Sequence, residues 1–110
     1  MCANIVGRRA MEFIMMPKNE ETDRLCKAIL SLETEEQAYS FFEDICTIKE
    51  FQAITQRLEV AKLLREKKTF SEIVAKTGAS TATISRVNRC LLYGAGGYTY
   101  VLDKLEDKKN

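Results

Sequence analysis

Apolar residues recur at helical spacing along most of the chain. Leu25, Cys26, Ile29, Leu30 and Leu32 form one stripe, and Asn19, Thr22 and Asp23 ahead of it supply capping and charge suited to a helix start. Thr34 with Glu36 and Gln37 resembles a capping box, TEEQ, and opens a second helix on which Ala38, Phe41, Phe42 and Ile45 lie together. A longer third element runs from Ile48 through Phe51, Ile54, Leu58, Ala61 and Leu64, with Leu63 extending its apolar surface to a second side. The expected fold class is therefore all-α and multi-helical.

Residues 70–92, FSEIVAKTGASTATISRVNRCLL, read as two short helices joined at Gly78. Ser71 is a candidate cap for the first, with Ile73 and Val74 as its inner face and Ala75 small enough for close approach. Gly78 can take positive φ without Cβ strain and turns the chain. Ser80 or Thr81 caps the second helix, on which Ile84, Val87 and Leu91 face inward. Ala82, Thr83, Ser85, Arg86 and Arg89 then face outward, with Asn88 near the boundary. This is the layout of a helix-turn-helix, and it makes double-stranded DNA the leading ligand. A purely structural helical hairpin has the same pattern, because Ser and Thr at a helix start also serve as caps.

The charge distribution favours DNA. Residues 20–50 carry nine acidic and three basic side chains, and residues 51–98 carry eight basic and three acidic, although the net charge of the whole chain is only +1. In the basic half, Thr81, Ala82, Thr83, Ser85 and Arg86 are the candidate base-reading residues. Lys62, Arg65, Lys67, Lys68 and Arg89 are the candidate phosphate contacts. A solvated helix end with favourable dipole interactions is the alternative account of the cations at the end of the long helix.

Length and composition limit the remaining classes. The 110 residues fit one domain at 20–108, preceded by an extension at 1–19 that reads as flexible. Ile14, Met15 and Met16 are too short a run for a signal h-region or a membrane span. The chain has no histidine, and none of Cys2, Cys26, Cys46 and Cys90 forms a CxxC, so no metal and no cofactor are expected. Reduced thiols in a cytoplasm are the default, with Cys26, Cys46 and Cys90 as small core fillers. Adjacent acids such as Glu35/Glu36 and Glu43/Asp44 are not disposed around a cleft, which argues against an enzyme. After the helix-turn-helix, YGAGGYTY reads as a flexible turn that lets Tyr98, Tyr100, Val101, Leu102 and Leu105 pack as a last short helix. The apolar faces are generous for so short a chain, and a second copy is the expected partner.

The run QRLEVAKLLREKKTFSEIVAKTGASTATISRVNRCLL resembles the trp repressor family, and GASTATISRVNRCLLYGAGGY resembles its YerC/YecD-type branch. The resemblance spans roughly residues 20–108. It implies an all-helical, intertwined dimer with two recognition helices about 34–36 Å apart on a palindrome. It also places groove contact on Thr81, Ala82, Thr83 and Ser85. Arg86 matches an arginine of that family's tryptophan pocket, whereas Gln56 stands for the second pocket arginine, Cys90 for a serine and Val87 for a glycine. The pocket is degenerate on this reading: Gln56 gives up a charge-assisted partner worth on the order of 2–5 kcal/mol if desolvated, and Val87 adds bulk. The expected function is a sequence-specific, tryptophan-independent transcriptional regulator, a repressor acting as a homodimer, with an unidentified small-molecule effector left open. The alternative is a dimeric helical adaptor that does not bind DNA.

Overall fold

The computed structural model of the protein describes residues 16–109. Most of the extension expected at 1–19 lies outside the described residues. Among those described, the chain forms six helices and no strand: α1 Glu20–Leu30, α2 Glu35–Ile45, α3 Ile48–Arg65, α4 Phe70–Thr77, α5 Thr81–Tyr93 and α6 Gly97–Lys109.

Reciprocal capping boxes start the first four helices. Asn19 pairs with Thr22, Thr34 with Gln37, Thr47 with Glu50 and Thr69 with Glu72, each side chain satisfying an otherwise orphaned backbone N–H. The cap of α4 is thus Thr69 and not Ser71. Thr69 has a glutamate three residues on to complete the box, whereas Ser71 has Val74, whose side chain offers no acceptor.

The core is built by the second half of the chain. Val60, Ala61 and Leu63 of α3, Ile73 of α4, Ala79 of the turn, Ile84 and Val87 of α5 and Leu102 of α6 are buried, with Leu64, Leu91 and Tyr98 packed against them. Some expected core positions fall outside it. Val74 is 38% exposed because the short α4 turns only Ile73 fully inward. On α6, Tyr98 and Leu102, four residues apart, reach the core, while Tyr100, Val101 and Leu105 stay about half exposed.

By contrast, α1 and α2 contain no buried residue. Phe42 tilts against Phe41 and Phe51, with ring centroids 5.8 and 5.7 Å apart, but Leu25, Ile29, Ile45, Ile48 and Ile54 are exposed. The cysteines are not core fillers either: Cys26 and Cys90 are exposed and Cys46 is half-buried. Cys26 and Cys46 belong to the part of the chain with no core to enter, and Cys90 sits off the Ile84–Val87–Leu91 stripe.

Candidate nucleic-acid interface

The two-helix unit is closed by local chemistry. Thr77 donates its hydroxyl to the Ile73 carbonyl at 2.8 Å and accepts the Ala79 N–H at 3.1 Å. Gly78 adopts φ +74°, and a Cβ there would meet nothing within 4 Å, so the glycine is favoured by conformation and not by space. Ser80 caps α5 by accepting the Thr83 N–H at 3.1 Å, which decides between the two expected caps.

Burial of Ile84 and Val87 fixes which face of α5 meets solvent. Thr81, Ala82, Ser85, Arg86 and Arg89 are exposed, whereas Thr83 and Asn88 are half-buried. Thr83 differs from the other proposed base readers in a second way, since its hydroxyl accepts a bond from Ser80 at 3.1 Å. The first N–H groups of α5 lack intrahelical acceptors and form the positive end of the helix dipole.

The cations near this unit divide into paired and unpaired. Arg65 contacts Asp103 at 2.8 Å and Glu106 at 3.4 Å and lies within 3.4 Å of the Thr99 carbonyl, so it ties α6 to α3 instead of presenting an open guanidinium. Lys62 lies between Glu59 at 3.7 Å and Glu66 at 3.4 Å. Lys67, Lys68, Arg86 and Arg89 are exposed and form no ion pair among the described residues.

Lys67 holds a special backbone position. It has φ +66°, and the Lys68 N–H reaches the Leu63 carbonyl at 3.1 Å while the Lys67 N–H reaches that of Leu64 at 3.0 Å. This is a Schellman closure of α3 with lysine where glycine is the usual occupant.

Of the four residues matched to a tryptophan pocket, Gln56 alone lines the groove beside the turn. Val87 is 1% exposed and belongs to the core, while Arg86 and Cys90 face solvent. Gln56 is half-buried and donates its side-chain N–H to the Thr77 carbonyl at 3.1 Å, at one wall of a shallow groove that Phe51, Glu59 and Lys76 also line. No spacing in the sequence marks that bond to the turn, whereas the Thr69–Glu72 box is legible as T-x-x-E. The Thr69 N–H holds the Glu72 carboxyl below its ordinary pKa, and burial pushes the Tyr98 phenol up. Among the described residues no group of His, Cys, Asp and Glu side chains could hold a metal ion, and no helix is long and apolar enough to cross a membrane.

A family model described as Trp repressor protein matches residues 20–106. The uncharacterized protein YerC of Bacillus subtilis strain 168 is 52% identical over 90 residues, covering 82% of this chain and 86% of that protein. The crystal structure of a TrpR-like protein from Eubacterium eligens ATCC 27750 superposes with a TM-score of 0.78 at 55% identity, covering 81% of this chain and 92% of that one. A candidate Trp repressor from Staphylococcus aureus superposes with the same TM-score at 46% identity, covering 81% and 89%.

Proposed function

The chain belongs to the Trp repressor protein family, and on that premise we propose that it is a sequence-specific DNA-binding transcriptional repressor that acts as a homodimer on a palindromic operator without tryptophan. The observation that carries this reading is the outward face of α5: small hydroxyl and methyl side chains at Thr81, Ala82 and Ser85, followed by Arg86 and Arg89 without acidic partners. Short side chains let a helix enter the major groove, where methyls meet thymine and arginine meets guanine or phosphate. Lys67 and Lys68, in the turn that feeds α4, supply further unpaired positive charge for the backbone.

Repression follows from occupancy, since a bound dimer excludes polymerase by volume alone. Independence from tryptophan is supported by Val87 in the core and by Gln56, which has no charge to offer a carboxylate. Homodimerisation is supported by the exposed apolar residues of α1, α2 and the first half of α3, which find no core in a single chain. The same surface supports a second reading, a dimeric adaptor that does not bind DNA.

Selection of bound duplexes from a random library, at fixed salt and with and without tryptophan, separates these readings. An enriched palindrome unaffected by tryptophan is the expected result. Enrichment only with tryptophan would overturn the independence, and no enrichment in either arm would favour the adaptor or an effector of different chemistry.

A further inference from the structure

Three side-chain hydrogen bonds among the described residues join positions more than ten apart in sequence; two belong to Arg65 and reach α6, and the third runs from Gln56 to Thr77. The Gln56 bond is thus the directional polar link between the long helix α3 and the turn of the helix-turn-helix. Apolar packing of Ile73, Ile84 and Val87 against α3 holds the unit in place but is non-directional. A hydrogen bond weakens steeply with angle and so fixes orientation.

The bond leads on through the turn. Thr77, at the C-terminus of the eight-residue α4, has a carbonyl with no intrahelical donor, and Gln56 satisfies it at 3.1 Å. The hydroxyl of the same residue is held by Ile73 and holds the N–H of buried Ala79. The next residue, Ser80, caps α5. Gln56 is therefore connected through Thr77 and Ala79 to the first turn of the recognition helix, while Val87 fills the space beneath that helix.

We propose that Gln56 is a positioning residue for DNA reading, an internal strut that sets the angle of α5 and holds it in the reading orientation with no bound ligand. The proposal rests on the DNA-binding function above, and its test keeps the two separable. Gln56→Leu keeps the bulk but has no donor, and Gln56→Glu turns a carboxylate toward the Thr77 carbonyl. Gln56→Arg restores an N–H donor. Each variant is measured for affinity to the selected duplex and to a shuffled one at equal salt, and for amide hydrogen exchange without DNA.

The Leu and Glu variants are expected to lower the selected-to-shuffled affinity ratio by about tenfold, the scale of one such hydrogen bond. Shuffled-duplex binding stays within about twofold, because phosphate contacts carry it. Exchange accelerates at Gly78 and Ala79 but not at Val60 or Leu63, and Gln56→Arg recovers most of the ratio. An unchanged ratio in both variants overturns the proposal, as does a lowered ratio with unchanged exchange, or exchange that accelerates uniformly through α3. If the wild-type chain selects no duplex, the DNA reading fails, and the exchange measurement alone decides whether Gln56 holds the turn.

Discussion

The Ser80 hydroxyl and Thr83 close a small ring: Ser80 Oγ accepts the Thr83 N–H and donates to Thr83 Oγ1, both at 3.1 Å. The start of α5 is thus organised within the chain itself, and one of the proposed base readers is partly occupied in organising it. Ser80→Ala is expected to destabilise the fold by about 1 kcal/mol, and Ser80→Gly by a few tenths. Urea denaturation followed by helical circular dichroism measures the difference, and equal loss in the two variants would mean that the hydroxyl is not the cap.

The ring also ranks the groove-facing residues. Thr81 and Ser85 are exposed, so replacing either by Ala is expected to reduce preference for the selected operator by up to about 1–3 kcal/mol while leaving shuffled duplex nearly unaffected. Thr83→Ala should lower preference less and stability more. Fluorescence anisotropy with both duplexes checks this, and a uniform loss on every sequence after Ser85→Ala would remove Ser85 from base reading.

Lys67 offers a substitution whose effects on stability and binding have opposite signs. Its φ of +66° disfavours any residue with a Cβ. Lys67→Gly should therefore stabilise the fold by up to about 1 kcal/mol. The same change removes a cation, so affinity for selected and shuffled duplex should fall together and the slope of log K against log salt should shrink by roughly 0.9 if one phosphate contact is lost. A higher melting temperature with an unchanged salt slope would assign Lys67 to solvent alone.

The local grammar of this fold is legible in the sequence, and its long-range pairings are not. Asn19, Thr34 and Gly78 announce two helix starts and a turn because caps and positive φ depend on neighbours within a few residues. Val74 and Cys90 fall outside the core because one step on a helix rotates a side chain by about 100°, enough to move it off a narrow buried stripe. The ion pairs of Arg65 with Asp103 and Glu106 have no local signature, because these partners lie on another helix. The sequence marks Gln56 as the loss of a ligand's partner, and only the folded chain shows the carbonyl that it satisfies.

Acid should loosen the start of α4. Glu72 accepts the Thr69 N–H, which holds its carboxyl below the ordinary carboxylate range. A depressed folded value contributes stability that is present above the unfolded pKa and is lost as pH falls through the folded one. The Thr69 amide signal is therefore expected to report fraying of this cap only below the usual carboxylate range. Glu72→Gln, which can still accept the bond, should remove the pH dependence while keeping the cap. A titration of the Thr69 amide that persists in Glu72→Gln would assign the effect to another group.

Exposure of apolar residues divides the two halves of the chain. Ile54 lies on the N-terminal half of α3 and is 44% exposed, whereas Val60, six positions further along the same helix, is fully buried. If a second copy covers the first half, burying the exposed part of Ile54 is worth on the order of 1 kcal/mol. Ile54→Glu replaces that gain with the cost of desolvating a carboxylate. Sedimentation equilibrium should then show the wild-type chain as a dimer and Ile54→Glu as a monomer that keeps its helicity, because the core from Val60 to Leu102 is made within one chain. Val87→Ala should behave in the opposite way, losing about 1–3 kcal/mol of stability while remaining dimeric. A wild-type monomer at micromolar concentration would overturn the homodimer, and with it the expectation that two recognition helices read a palindrome.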